Sequence, residues 1–313
     1  MRPDFAKRTR PMLPLSPLPL TTKEAFARYE AVRPRLPQMG APRETFYAPT
    51  ISEVAERWDG YVLDAFGVLN VGTTAIASAL PRMEELRERG KKLCVLTNGS
   101  SAPRSKALAK YKRLGFDFTE EEVVSSRDVA ASALQRIAPD ATWGAISMEG
   151  DDFSDLPAKV VDLTKGGWAN VDAVLFLCAA RFDREMRKRL HDAMRDFPRP
   201  LVVANPDLVA PNEWGFSIEP GFWAHELLDQ QEIETHWFGK PFAAGFEAAI
   251  ARTGLQPSQC AMVGDTLHTD ILGGQAAGMG TILVADHGLF AGHDVRGFIA
   301  QSGITPDVVV STT

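Results

Sequence analysis

The 313-residue sequence lacks three features that would place a protein in a broad class at once. No apolar run approaches the ~20 residues that a membrane helix needs, and residues 1–20 have no apolar core long enough for a signal peptide. Its three cysteines, Cys94, Cys178 and Cys260, each lie inside an apolar, strand-like run, which favours reduced core residues and a cytoplasmic protein over a disulfide framework. Basic residues are not in excess, and a net charge of -6 argues against a nucleic-acid partner.

Basic residues and proline are concentrated at the N-terminal end. Residues 1–50 hold nine Lys/Arg, four Asp/Glu and nine of the 21 prolines, a net charge of +5 that leaves -11 for the remainder. Because proline opposes helix formation, residues 1–20 are predicted to form an extended arm, or a disordered basic tail over the first fifteen. We expect a short helix near Thr22–Val32 to follow, within an N-terminal segment that spans residues 1–44.

The most informative stretch is YVLDAFGVL at residues 61–69. Three apolar residues lead into Asp64, and Gly67 three positions later allows the backbone to turn sharply. This pattern predicts a buried strand that delivers a carboxylate to the open end of a sheet, where parallel α/β proteins bind ligands. A strand-end Asp can also simply cap a loop, so the inference depends on the motifs that follow.

A second apolar run, KKLCVLT, ends at Thr97 and continues into Asn98, Gly99 and two serines. Residues 104–114 have helical spacing that stops at Gly115, a suitable residue just beyond a helix C-terminus. A strand, a small-residue turn and a helix N-terminus form an anion site, because unpaired N–H groups and the helix dipole face the turn. The alternative is an ordinary capped turn.

Two further motifs lie in the C-terminal third. WFGKP at residues 237–241 places Lys240 before Pro241, which can serve as the first residue of a helix. CAMVGDTLHTDI at residues 260–271 predicts a buried strand that ends at Asp265, with Asp270 five positions later. Two carboxylates held close together need a cation or a proton to offset their repulsion, and hard oxygen ligands suit Mg²⁺.

The spacing of these motifs predicts two domains. From Tyr61 onward predicted strands alternate with predicted helices, which is typical of a doubly wound parallel sheet. Only 33 positions separate Asp64 from Thr97, enough for one crossover helix, whereas 143 separate Thr97 from Lys240. The longer interval holds its own alternating segments, so we expect a core over residues 45–138 and 234–313, interrupted by a second domain over residues 139–233.

Taken in order, Asp64, Thr97, Lys240 and the Asp265/Asp270 pair resemble the four motifs of the haloacid dehalogenase (HAD) superfamily of aspartate-nucleophile hydrolases. The GDTLHTDI and TNGSS sequences are similar to its class IIA branch, which includes p-nitrophenyl-phosphatase-like enzymes and nucleotide or sugar-phosphate phosphatases. The resemblance covers roughly residues 51–313. It implies an α/β fold with a Rossmann-like core, an inserted α/β cap domain at residues 139–233, and relatives that often pair into homodimers through the cap.

The resemblance also implies a Mg²⁺-dependent phosphatase that acts on a small phosphorylated metabolite through an aspartyl-phosphate. The implied catalytic residues are the nucleophile Asp64 and the phosphoryl-binding Thr97 and Lys240. The implied metal ligands are Asp64, the backbone carbonyl of Phe66, Asp265 and, through water or by orienting its loop, Asp270. The implied substrate-binding residues are Asn98, Gly99, Asn205 and Asp207.

Asn205 and Asp207 belong to an NPD sequence that resembles a cap motif of class IIA. They follow a predicted strand and a proline-restricted turn, which could aim polar groups at a substrate. An Asx turn that only closes a loop explains the same sequence.

Phe66 departs from the superfamily pattern. Phosphatases of the superfamily have a second Asp two residues after the nucleophile, which protonates the leaving group and later activates water. Phe66 can do neither, and general acid–base help is typically worth about 10²–10⁴-fold. Slow hydrolysis, restricted to good leaving groups, is therefore expected.

Two alternatives follow from the same departure: a phosphoryl-ligand sensor with negligible turnover, and a 2-haloacid dehalogenase, in which no protonation is required. The dehalogenase is disfavoured for two reasons. Dehalogenases carry their cap between the first two motifs, where this chain has no room, and they need no metal, whereas Asp265 and Asp270 are present here.

Other residues carry weaker signals. His268, between Asp265 and Asp270, is either a substitute acid or a loop hydrogen-bonder. Trp214, Phe222 and Trp223 fall in the predicted cap, where they serve as core or lie against a substrate.

Overall fold

A computed structural model describes residues 20–313, so the predicted arm lies outside the described residues except for Leu20. In chain order the strands are β1 (Phe46–Thr50), β2 (Gly60–Leu63), β3 (Asn70–Val71), β4 (Thr74–Ala75), β5 (Lys92–Thr97), β6 (Val123–Ser125), β7 (Thr142–Ile146), β8 (Lys159–Asp162), β9 (Ala173–Phe176), β10 (Leu201–Val203), β11 (Val209–Asn212), β12 (Gly215–Ile218), β13 (Thr235–Trp237), β14 (Cys260–Gly264), β15 (Gly280–Val284) and β16 (Val308–Thr312).

The α-helices are α1 (Thr22–Val32), α2 (Ala79–Glu88), α3 (Arg104–Arg113), α4 (Ser126–Ala131), α5 (Leu134–Ile137), α6 (Arg184–Asp196), α7 (Pro220–Leu228), α8 (Ala243–Thr253), α9 (Leu272–Ala276) and α10 (Val295–Ser302). Among these described helices none is long and apolar enough to cross a membrane. The three cysteines are free and buried, as predicted.

The larger sheet has seven parallel strands in the order β1-β16-β15-β14-β2-β5-β6, which confirms the doubly wound α/β class. Alternate residues of its strands pack on opposite faces. Leu63 joins a cluster with Met83 of α2 and Tyr111 of α3, whereas Val62 joins one with Phe246 of α8. The near-continuous apolar runs of the sequence therefore reflect strands that are buried on both sides.

The order of the central strands positions the site. Strands β14, β2 and β5 are adjacent and parallel, so the residues that follow them emerge at one edge of the sheet. Asp64, Thr97 and Asp265 all lie at that carboxyl edge. This is the edge at which open α/β sheets bind ligands.

A second sheet of five parallel strands, in the order β13-β10-β9-β7-β8, lies between β6 and α8 in the chain. Its helices α6 and α7 pack Leu190 and Leu227 against Val174 and Phe176 of β9. The last strand, Thr235–Trp237, pairs with β10, so the second sheet extends four residues past the predicted boundary at residue 233. That boundary is corrected because the edge strand is too short to show its own pattern in the sequence.

The N-terminal helix α1 packs on the larger domain. Thr21 caps it in a capping box with Glu24, which satisfies two otherwise free N–H groups. Phe26 contacts the rings of Phe290 and Phe298, and the Thr22 hydroxyl donates to the Leu289 carbonyl at 2.9 Å. Residues 22–32 thus belong to the folded body.

Arg127 of α4 ties the two domains together. Its side chain is fully buried and donates two hydrogen bonds each to Asp151 and Asp155, at 2.7–2.9 Å. We expect Arg127→Met to lower the free energy of unfolding by about 3–5 kcal/mol, because Asp151 would be left as a buried, uncompensated charge. Urea denaturation measures this loss.

The matched control for Arg127 is Arg189→Met, which removes an exposed arginine paired with Glu185. Exposed pairs contribute little, so this control should change stability by less than about 1 kcal/mol. A loss of the same small size for Arg127→Met would contradict a structural role for the buried pair.

Candidate active site

Asp64 lies at the end of β2 and forms an ion pair with Lys240. Lys240 Nζ is 2.5 Å from Asp64 Oδ1 and 2.9 Å from Asp270 Oδ1, so one buried ammonium lies between two carboxylates. The Ala65 amide donates to Asp64 Oδ1 at 2.7 Å and holds the carboxylate in place. The three residues named by separate motifs therefore form one site.

Asp265 is held by three neighbouring loops. The Leu289 amide donates to its Oδ2 and the Thr266 hydroxyl to its Oδ1, both at 2.8 Å. A Cβ at Gly67, where φ is +76°, would lie 2.7 Å from Asp265 Oδ2, and one at Gly288 would lie 1.9 Å from it. Glycine is needed at both positions because the loops approach the carboxylate so closely.

A short π-helical turn at Leu267–Ile271 carries Asp270 back beneath the strand end. The Thr266 amide donates to Asp270 Oδ2 at 3.0 Å, whereas Oδ1 pairs with the Lys240 ammonium at 2.9 Å. Single π turns inside helices are frequent at functional sites. The turn thus places the buried Asp270 carboxylate close to Asp64 and Asp265.

The site has more negative than positive charge. Oxygens of Asp64, Asp265 and Asp270 all lie within 4.8 Å of one another. Burial, with repulsion from the neighbouring carboxylates, raises the pKa of both Asp64 and Asp265. Burial alone would lower the pKa of Lys240, but Asp270, Asp64 and Asp207 outweigh it and raise the pKa.

These residues fit a divalent cation. The donor set consists of carboxylate oxygens of Asp64, Asp265 and Asp270, which lie close together and which hard cations prefer. One lysine does not neutralise three carboxylates, so a cation here would relieve repulsion that the protein otherwise bears.

Thr97 ends β5, Asn98 and Gly99 follow it, and all three line the same cavity as Asp64. The Asn98 side chain accepts from the Lys240 amide at 2.7 Å and donates to the Lys240 carbonyl at 2.9 Å. It also donates to Asp207 Oδ1 at 2.8 Å. Asn98 thus holds the Lys240 loop and joins it to the second domain.

The Lys240 loop differs from its prediction in one respect. The Lys240–Pro241 peptide bond is cis, and α8 begins at Ala243, so Pro241 is not the first helical residue.

Asn205 and Asp207 reach the site from the end of β10. The Asp207 amide donates to Asn205 Oδ1 at 3.0 Å, which is an Asx turn. Asn205 and Asp207 also line the cavity, so the same two residues both form the Asx turn and border the site. Burial raises the pKa of Asp207 well above its ordinary value.

The cavity has a volume of about 300 Å³. Residues of the larger sheet form one wall, and residues 205–219 with Leu177 and Cys178 form the other. A small organic phosphate fits a space of this size, and the carboxylate cluster borders it.

Family models match two parts of this chain: that of the haloacid dehalogenase-like hydrolases matches residues 61–154, and a HAD-hydrolase-like model matches residues 237–312. A glycerol-3-phosphate phosphatase of Gallus gallus is 28% identical over 84% of this chain and 92% of its own length. The chain belongs to the haloacid dehalogenase-like hydrolases. The two matched regions contain all four motifs.

Solved structures share the fold of this hydrolase. A p-nitrophenyl phosphatase from Archaeoglobus fulgidus aligns with a TM-score of 0.68 and 24% identity, over 82% of this chain and 96% of its own. A glycerol phosphate phosphatase from Mycobacterium tuberculosis, in complex with calcium, aligns with a TM-score of 0.61 and 25% identity, over 75% and 68%.

His268 of the hydrolase contacts the N-terminal helix α1. Its Nε2 bonds to Glu30 of α1 at 2.5 Å, and its ring packs between Tyr29 and Phe26. Burial lowers its pKa. His268 therefore anchors the N-terminal helix and is not among the residues that line the cavity, which favours the hydrogen-bonding role over that of a substitute acid.

Phe66 lies beside a lysine that the motifs do not identify. Lys110 Nζ of α3 is 4.2 Å from the centre of the Phe66 ring, a cation–π distance. Burial lowers the pKa of Lys110 to about 8. The helical spacing of residues 104–114 marked Lys110 only as one of several basic residues on a helix.

The hairpin β11–β12 joins the second domain to the core of the hydrolase. Glu213 at its tip accepts hydrogen bonds from the Thr73 amide at 2.8 Å and from the Thr74 hydroxyl at 3.0 Å. These donors, together with its own amide, lower the pKa of Glu213 to about 2. Trp214 beside it is 67% exposed and lines the cavity, unlike the packed Phe222 and Trp223.

Proposed function

We propose that this phosphatase of the HAD superfamily hydrolyses a small phosphomonoester through a covalent intermediate on Asp64. The observation that supports the proposal best is the placement of Asp64. It lies at a parallel strand end, paired with Lys240, beside Asp265 and Asp270, and at the border of a small cavity. Formation of an aspartyl-phosphate is an established use of a carboxylate nucleophile, and it suits a site that holds a buried lysine beside that carboxylate.

In the first step Asp64 Oδ attacks phosphorus, and the bond between phosphorus and the leaving-group oxygen breaks. The second step is attack of water on the phosphoryl group, which releases phosphate and restores the carboxylate. Lys240 and Thr97, both buried at the strand ends, bind phosphoryl oxygens and offset their charge. Asn98 keeps Lys240 in place through two backbone hydrogen bonds.

The metal in this proposal is Mg²⁺, held by Asp64, the Phe66 carbonyl and Asp265, with Asp270 in support. When bound, such an ion offsets repulsion between the anionic nucleophile and an anionic phosphate. The oxygen-only donor set is the feature of this chain that supports the assignment.

Phe66 supports slow turnover on poor leaving groups, because a phenylalanine side chain cannot donate a proton to the leaving group. The same observation favours, as a second candidate, a sensor that binds phosphorylated ligands with negligible turnover. In either case residues 139–237 act as the cap that supplies the second cavity wall. A cytoplasmic location and pairing through the cap stay predictions.

Asp265→Asn should weaken Mg²⁺ binding at least about tenfold, because it removes one carboxylate charge from the ligand set. Affinity should also fall as the pH is lowered. The pKa values of Asp64 and Asp265 are raised, so protons compete with the metal for these groups. Isothermal titration calorimetry measures both effects.

The matched control is Asp286→Asn, which neutralises an exposed carboxylate close by in the chain. It should leave the affinity within about twofold. Equal affinities for wild type and Asp265→Asn would remove the metal-site assignment.

A further inference from the structure

The wall of the cavity that belongs to the second domain carries an ordered polar cluster around Glu219. The Ser217 hydroxyl donates to Glu219 Oε1 at 2.6 Å, and the Asn205 side-chain Nδ2 donates to Oε2 at 3.0 Å. Asn212 donates in turn to the Ser217 oxygen at 3.0 Å. All four side chains belong to residues that line the cavity, so the cluster is preorganised before a ligand enters.

Glu219 has the capacity to accept more hydrogen bonds. An ionised carboxylate has about four acceptor positions, and each oxygen of Glu219 receives one donor among the described residues. Burial raises the pKa of Glu219, and the hydrogen bond from Ser217 only partly offsets this effect. A ligand that brings a further donor would stabilise the group.

The charge of the cavity limits the ligand further. Its lining, within the part of the chain that the structure describes, includes the carboxylates Asp64, Asp207, Asp265 and Glu219 and no Lys, Arg or His. Lys240 is not among the lining residues and is already paired with Asp64. A second anionic group on the substrate, away from its phosphate, would therefore meet negative charge without a cation to bind it.

Trp214 adds a flat apolar surface at the rim of the same wall, and Phe216 lines the wall as well. Aromatic faces pack against the C–H groups of an extended carbon chain or ring. Together with the acceptor oxygens of Glu219, these aromatic rings suit a leaving group that has both hydroxyl groups and apolar C–H groups.

We propose that Glu219 is a specificity-determining residue that accepts a hydrogen bond from the leaving group. It selects phosphomonoesters of polyols or amino alcohols over those that carry a carboxylate. This rests on the proposed function, because it assigns the leaving group of the reaction at Asp64.

The test compares four substrates on the full chain with Mg²⁺: glycerol 3-phosphate, phosphoethanolamine, phosphoglycolate and p-nitrophenyl phosphate. For wild type, kcat/KM on glycerol 3-phosphate or phosphoethanolamine should exceed that on phosphoglycolate by about tenfold or more, the size of one charged hydrogen bond. The two favoured substrates distinguish a neutral hydroxyl donor from an ammonium donor.

The isosteric variant Glu219→Gln should raise KM for the favoured substrate about tenfold with little change in kcat. It should leave p-nitrophenyl phosphate within about twofold, because that leaving group has no donor. Glu232→Gln, at an exposed glutamate, should change none of these values.

Wild type that prefers phosphoglycolate, or a Glu219→Gln variant with unchanged substrate preference, would overturn the role of Glu219 while leaving Asp64 chemistry intact. Absence of turnover on all four substrates would instead overturn the proposed function. In that case, and equally if p-nitrophenyl phosphate alone is hydrolysed, calorimetric binding to the Asp64→Asn protein decides the inference: glycerol 3-phosphate or phosphoethanolamine should bind about tenfold more tightly than phosphoglycolate, and equal or absent binding overturns it.

Discussion

Asp64→Asn is expected to abolish phosphate-ester hydrolysis, with kcat reduced on the order of 10⁴-fold or more, as for removal of a covalent nucleophile. An amide does not attack phosphorus at a useful rate. The substitution also removes the negative charge that pairs with Lys240 at 2.5 Å. Steady-state rates on p-nitrophenyl phosphate measure the loss. Its p-nitrophenolate leaves without protonation, so wild type should hydrolyse this substrate fastest.

The control for Asp64→Asn uses the other end of the same strand. Asp59→Asn neutralises an exposed carboxylate just before β2, where its partner is Gln259 at 3.2 Å. This variant should keep nearly full activity. A fluoroberyllate complex should form on the wild-type carboxylate and not on Asp64→Asn; normal turnover by the latter would rule out the covalent mechanism.

Phe66→Asp is expected to increase hydrolysis of alkyl phosphates more than that of p-nitrophenyl phosphate. An alkoxide must be protonated as it leaves, whereas p-nitrophenolate need not be, so a new acid helps the first class selectively. The gain has a ceiling of about 10²–10⁴-fold. Phe66→Asn is the matched control, because it makes the same change in size without supplying a proton.

Lys110 affects how this experiment should be designed. Its ammonium lies 4.2 Å from the Phe66 ring centre, so it would lower the pKa of a carboxyl introduced there and weaken it as an acid. Adding Lys110→Met to Phe66→Asp should therefore raise the pH above which alkyl-phosphate hydrolysis declines, because the introduced acid stays protonated to a higher pH. Circular dichroism must show that the variants fold, since removal of the ring leaves a cavity.

Two results together would contradict the acid-deficient description of the site. One is fast hydrolysis of alkyl phosphates by wild type, and the other is no gain in folded Phe66→Asp. Another group would then supply the proton. Lys110, which lies beside Phe66, would be the first group to test, because His268 is engaged with Glu30.

Residues 61–69 and 260–271 show what was accessible without a structure. Their apolar runs, followed by Asp and Gly, are local signals, because a buried strand and the turn after it depend on neighbouring residues. The order of the motifs and the 143-position gap likewise indicated a parallel core with an insertion, and the larger sheet agrees. The sequence by itself therefore determined the fold class and which side chains meet at the sheet edge.

Tertiary packing alone decided the rest. His268 contacts Glu30 across 238 positions, Lys110 of α3 covers Phe66, and Glu213 bonds to Thr73 across 140. Glu219 borders the cavity only because β12 folds back beside β11. No short pattern encodes such contacts, because they depend on how whole elements pack. The residues that flank a lysine, a histidine or a glutamate in the sequence are compatible with several different partners.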